Sequence, residues 1–181
     1  NPHSTNSRIP AILREIQCVW SVWSMKKILF VCHGNICQSP MAEYVMKDLV
    51  KKAGLEDELQ IASAATSREE IGNPVYPSAR RKLAEHGISC GGHAARQLRN
   101  SDYEEYDLLI GMDRANLRNM YRICGGDFND KMHLLMEYAG RPEQEVADPW
   151  YTDDFDATWR DVLAGCQRLL QDLSEQNRPV S

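Results

Sequence analysis

A short continuous apolar run, "KILFVC" at 27–32, is the first clear signal in the chain. It has the length and branched content of a strand covered on both faces. Beyond Pro40 the period changes: Met41, Tyr44, Val45, Met46, Leu49 and Val50 recur at helical spacing and stop near Gly54. "LQIASAA" at 59–65 returns to a strand pattern, and "PSARRKLAEHGI" at 77–88 predicts a helix halted by Gly87. "YDLLIGM" at 106–112 predicts a third buried strand, followed by a helix through "DRANLRNMYRI" with Asp113 as its cap. "KMHLLME" at 131–137 reads as a fourth, weaker strand. "DDFDATWRDVLAGCQRLLQDLSEQ" then predicts a long amphipathic helix whose early Asp residues suit the positive end of the helix dipole.

Strand–helix alternation of this kind predicts an α/β fold, a mostly parallel sheet with helices on both faces. In such sheets ligands bind beyond the carboxyl ends of the strands. Cys32 stands at one of those ends.

At 181 residues the chain suits one domain with a substantial core. A net charge of −5 gives no basic footprint for nucleic acid or an anionic membrane surface, so neither is expected as a partner. No window approaches the roughly eighteen apolar residues of a membrane span. Cys18, Cys32, Cys37, Cys90, Cys124 and Cys166 are scattered, which predicts reduced thiols and a cytoplasmic protein rather than a disulfide scaffold. Residues 1–24 precede Met25, and Arg14 and Glu15 break their apolar stretch, which argues against a signal peptide. They are expected to be an appended or upstream-translated extension, with a docking helix as the alternative, leaving 25–181 as the functional domain.

The candidate chemistry lies in "CHGNICQSP" at 32–40. The backbone N–H groups of His33, Gly34, Asn35, Ile36, Cys37 and Gln38 lie between the thiol and the predicted helix. Gly34 opens backbone conformations closed to other residues, and Asn35 tolerates the left-handed region. Such a loop can turn its amides inward as an anion nest. Ser39 suits an N-cap and Pro40 a first helical position, so the helix dipole would face the same spot. Together they favour a bound dianion and Cys32 as a thiolate. A thiolate beneath a phosphate implies attack on phosphorus, then hydrolysis of a phosphocysteine. That sequence needs an acid and later a base, for which Asp148 in "ADPWY" is the candidate. Trp150 and Tyr151 offer aromatic walls beside it. A zinc reading of Cys32, His33 and Cys37 fails for want of a second ligand pair, so no metal is expected.

These motifs resemble the low-molecular-weight protein tyrosine phosphatase family, whose signature C-x-G-N-x-C-R-S-P is matched by "CHGNICQSP". "SAATS", "ARRKLAEHGI", "GHAARQL", "YDLLIGMDRANL" and "ADPWY" follow in family order, so the likeness runs from Lys26 to about Leu173. The resemblance implies a four-stranded parallel sheet with flanking helices and no metal or organic cofactor. It implies Cys32 as nucleophile, Asp148 as general acid, and Ser39 as the hydroxyl bonded to the thiolate. Asn35, Ser63 and His93 would hold the loop's shape, and Cys37 could trap Cys32 as a reversible disulfide. The implied substrate is a phosphorylated protein or small phosphomonoester; the sequence leaves the oligomeric state open, a monomer being the expectation.

Two positions depart from the family. Gln38 replaces the loop arginine, and Glu69 stands near where an aromatic often lines the opposite wall. Gln offers a neutral amide where Arg offers a charged fork, so reduced turnover and a higher Cys32 pKa than in relatives are expected. Arg68 is a candidate stand-in for the missing charge. Two other functions stay open: a silent member that binds phosphate or phosphoprotein, and a phosphatase for protein phosphoarginine, whose cation Glu69 could suit. An arsenate reductase would need a closely spaced cysteine pair after Cys37, and there is none.

Overall fold

A computed structural model describes residues 25–176, so the reading of residues 1–24 lies outside the described part of the chain. Four strands form one sheet: β1 (Lys26–Cys32), β2 (Leu59–Ala65), β3 (Leu108–Gly111) and β4 (Met132–Leu134). Their spatial order is β2-β1-β3-β4 and every pairing is parallel. This is the α/β fold with a four-stranded parallel sheet that the strand–helix alternation predicts.

β1 is the middle of the molecule, and Ile28, Leu29, Phe30 and Val31 are fully buried. Each such side chain contributes about 1.5–3 kcal/mol of burial. Alternation splits them between two cores. Ile28, Phe30 and Cys32 face the layer of α1 (Gln38–Lys52), α2 (Pro77–Glu85) and α7 (Phe155–Gln176). Leu29 and Val31 face α3 (Asp102–Glu105) and α4 (Arg114–Cys124). α4 opens on Asp113, the expected cap, and the structure adds a reciprocal partner: its carboxylate accepts from Asn116 N at 2.7 Å, and Asn116 Oδ1 accepts from Asp113 N at 3.1 Å.

The segment 131–137 departs from its predicted strand. Pairing ends at Leu134 and the chain turns into α5 (Leu135–Tyr138). Leu135 and Met136 are both fully buried there, Leu135 within the core that α7 also lines. Leu135 lies so close to α7 that a Cβ on Gly165 would sit 2.5 Å from its Cγ. Gly165→Ala is therefore expected to destabilise the fold. Overpacking costs about 1–3 kcal/mol, against a helix-propensity gain of about 1 kcal/mol. Thermal unfolding checks this, as a fall of a few degrees in Tm. The last short helix, α6 (Pro149–Thr152), leads into α7. No helix among the described residues is long and apolar enough to cross a membrane.

Candidate active site

The loop after β1 is built around Asn35. Its φ of 59° is left-handed, and the residue is fully buried. Every polar group it has is engaged. Nδ2 donates to Ser39 Oγ at 2.9 Å and to Ser63 Oγ at 2.8 Å. Oδ1 accepts from Arg96 N at 3.2 Å, the carbonyl bonds His93 Nε2 at 2.8 Å, and the amide reaches Cys32 Sγ at 3.3 Å. A strained backbone persists only where its surroundings over-determine it. Here five bonds do so.

The rest of the loop follows. Its outer carbonyls are taken: Thr66 N donates to Cys32 O, Ser67 N to His33 O and Tyr76 N to Ile36 O. Among the described residues, none of the amides from His33 to Gln38 donates to a backbone carbonyl. That of Asn35 bonds the Cys32 sulfur at 3.3 Å. The other amides of the loop have no backbone acceptor, and with the thiol at the floor of the cavity this arrangement suits an oxyanion.

Ser39 is not the N-cap that its sequence position suggested. α1 begins at Gln38, with Cys37 flanking it and no side-chain cap, and Met41 N closes on Cys37 O at 3.1 Å. Pro40 thus falls within the first turn rather than opening it. The Ser39 hydroxyl serves the thiol instead, 2.9 Å from Cys32 Sγ.

Behind the loop lies a residue that sequence reasoning missed. Glu43 is buried on α1, accepts from the Ser63 hydroxyl and pairs with Lys47. A continuous chain of polar contacts thus runs Lys47–Glu43–Ser63–Asn35–Ser39–Cys32. The signal was a glutamate within a helical face of Met41, Ala42, Val45 and Met46. A charge there must be partnered or it will not be buried.

A cavity of about 340 Å³ opens over the thiol. Cys32, His33, Gly34, Ile36, Cys37 and Gln38 form its floor, and Glu69, Glu70, Asp148, Trp150 and Tyr151 its walls. Thus Asp148, 116 positions along the chain from Cys32, faces the same space. It caps α6, where Oδ1 accepts from Trp150 N at 3.0 Å. Trp150 and Tyr151 are 64% and 89% exposed, which leaves them free to cover a ligand. Glu69 Oε2 meets His33 Nε2 at 3.1 Å across the rim, and Glu70, not anticipated, stands beside it. Ser63 and His93 lie behind the loop rather than in the cavity.

No Lys or Arg lines this space. Arg68 bonds Gln97 Oε1 at 3.1 Å and does not replace the missing charge. Gln38 is 8% exposed, and its Nε2 donates to Val146 O and Ala147 O, 3.2 Å each. Its amide hydrogens are therefore held by backbone carbonyls rather than left free for an anion.

The electrostatic consequence reverses one expectation. Burial pushes the Cys32 thiol above its ordinary value, and bonds from the Ser39 hydroxyl and the Ser39, Asn35 and Gly34 amides offset this only in part. Burial is the dominant cause, and no Lys or Arg lines the cavity to oppose it. Cys37 is pushed up to about 12, by burial first and then by the charges of Cys32, Asp148 and Glu70. No cluster of three or more His, Cys, Asp or Glu fit to hold a metal occurs among the described residues.

Comparison with known proteins gives a consistent picture. The sequence profile of "Low molecular weight phosphotyrosine protein phosphatase" matches residues 27–179. The low molecular weight protein-tyrosine-phosphatase YfkJ of Bacillus subtilis is 34% identical over 155 residues, 85% of this chain and 99% of that protein. Its crystal structure superposes with a TM-score of 0.82, covering 86% of this chain and 98% of that one. A crystal structure of a Drosophila arginine phosphatase is also similar, with a TM-score of 0.74 and 30% identity, covering 81% of this chain and 97% of that one.

Proposed function

The chain belongs to the low molecular weight phosphotyrosine protein phosphatase family, and from that premise we propose that it hydrolyses phosphomonoesters, phosphotyrosine in proteins foremost. The observation that carries this reading is a loop whose amides have no backbone acceptor, lining one cavity with Cys32 and with Asp148 on its wall. In the first step Cys32 Sγ, as thiolate, bonds to phosphorus while the ester P–O bond breaks. Asp148 gives its proton to the departing oxygen. In the second, water attacks phosphorus, Asp148 takes the water's proton, and the S–P electron pair returns to sulfur. Ester and water become alcohol and phosphate, with no metal or organic cofactor taking part.

Ser39 supports the thiolate by donating to it. With Asn35 Nδ2 donating to Ser39 Oγ, the hydroxyl proton can turn toward sulfur at 2.9 Å in preference to the more distant Ala64 O at 3.5 Å. Trp150 and Tyr151 flank the substrate ring. Gln38 cannot supply the charge that stabilises phosphoryl transfer, so turnover is slow.

Phosphate release from phenyl phosphate tests the scheme. Asp148→Asn is expected to lower kcat by about 10²-fold, the lower end of what a positioned general acid contributes. Equal rates for the two chains would remove Asp148 from the reaction.

A second reading rests on the walls. Glu69, Glu70 and Asp148 stand around a cavity without a fixed cation, which suits a phosphorylated guanidinium, anionic at one end and cationic behind it. Under this reading the chain removes phosphate from protein arginine. Glu69→Gln would then slow a phosphoarginine peptide and spare a phosphotyrosine peptide of the same sequence.

A further inference from the structure

The two bonds from Gln38 suggest a role that its position as a missing arginine does not. Val146 and Ala147 immediately precede Asp148. Their segment is tied elsewhere to β3 and α7: Val146 N donates to Met112 O at 3.0 Å, Ala147 N to Asp161 Oδ2 at 2.9 Å, and Thr158 Oγ1 to Ala147 O at 2.8 Å. These bonds hold the segment to the scaffold, and none of them reaches the loop that carries the thiol. Among the described residues, only the Gln38 carboxamide hydrogen-bonds the loop that carries Cys32 to the segment that carries Asp148.

We propose that Gln38 is a positioning residue, a tether that sets the reach of Asp148 toward the leaving oxygen above Cys32. The inference rests on the hydrolase reading for its catalytic consequence, though not for the tether itself. Asp148 needs such help. Its side chain is exposed, and its one hydrogen bond, from Trp150 N, fixes it to α6 rather than to that loop. The Gln38 side chain is nearly buried and both its amide hydrogens have acceptors, so the link is directional and shielded from water. Displacement of a reacting group by about 1 Å costs on the order of 10² in rate. The position that lost a phosphate ligand thus gained control of the acid.

The test is Gln38→Met, which keeps the length and removes both donors. A tether acts through the proton given to the leaving group, so its loss depends on how much that group needs a proton. Hydrolysis of phenyl phosphate, whose phenolate leaves poorly, is expected to fall about tenfold or more, and that of activated nitrophenyl phosphate by less than about twofold. The limb of the pH profile set by protonated Asp148 should flatten with it. Equal losses on both esters would mean that Gln38 acts on the phosphate or on the loop, and would overturn the proposal. Amide hydrogen exchange reads the tether without turnover. In Gln38→Met, exchange at 147–151 should quicken about fivefold or more while Ile28–Val31 stay protected. Unchanged exchange at 147–151 also overturns it. If the unaltered chain shows no Cys32-dependent hydrolysis, the hydrolase reading fails by itself, and the exchange result still decides the tether.

Discussion

Arginine in place of Gln38 is expected to raise kcat/KM on nitrophenyl phosphate by about 10²–10³-fold. One preorganised donor to a developing oxyanion contributes about 10²–10³, and an arginine serving a transferring phosphoryl group about 10³–10⁵. The lower range is the better guide, because Gln38→Arg also gives up the bonds to Val146 and Ala147. Nitrophenyl phosphate hardly needs Asp148, so the gain from charge shows there undiminished. With phenyl phosphate the lost tether should take back part of it. The comparison of the two esters separates charge from position in one variant. No gain on either would mean that the missing cation does not limit this site.

The same substitution should move the thiol. Burial pushes the Cys32 thiol above its ordinary value. Alkylation by iodoacetate, followed by mass spectrometry of the Cys32 peptide, should therefore keep accelerating as pH rises past the ordinary thiol value near 8.5. A guanidinium in the cavity favours the charged form and should shift that midpoint downward.

The sheet was legible because its signals were local. "KILFVC" is a nearly unbroken apolar run and "LQIASAA" a short strand pattern, and each is a strand of the buried parallel sheet. Asp113 with Asn116 was a cap that needed only three residues to state itself. "KMHLLME" failed because period alone cannot separate a short strand from a strand and one helical turn. The fact that decided it, the fit of Leu135 against Gly165, spans 30 positions. Ser39 was misplaced for a related reason. A serine before a proline looks like a cap wherever the thiol, Asn35 and Ser63 are not yet in view. Cys32 and Asp148 could be named as a pair from motifs alone, but the partners of Gln38, the burial of Glu43 and the engagement of Arg68 by Gln97 are products of tertiary packing. The thiol's pKa belongs with them. A helix start argues for a low value, and burial of the sulfur reverses the sign.

Cys32→Ser is expected to bring hydrolysis down to the uncatalysed background, a loss of about 10⁴ or more where a nucleophile acts as part of a unit. The serine hydroxyl would occupy the same floor and the same contacts with Ser39 and Asn35. Its proton, though, is far harder to remove than a thiol's, and a neutral hydroxyl cannot displace the ester oxygen at a useful rate. Binding should survive, because the amides above the floor belong to the backbone and do not depend on sulfur. Cys32→Ser should therefore retain a phosphotyrosine peptide that the unaltered chain converts and releases, which calorimetry would show as a stable complex. This pair of measurements also discriminates between a slow enzyme and a binding protein. If the unaltered chain and Cys32→Ser bind the peptide alike and neither releases phosphate, Cys32 is the floor of a phosphate-binding site, and Gln38→Arg is the variant in which chemistry should reappear.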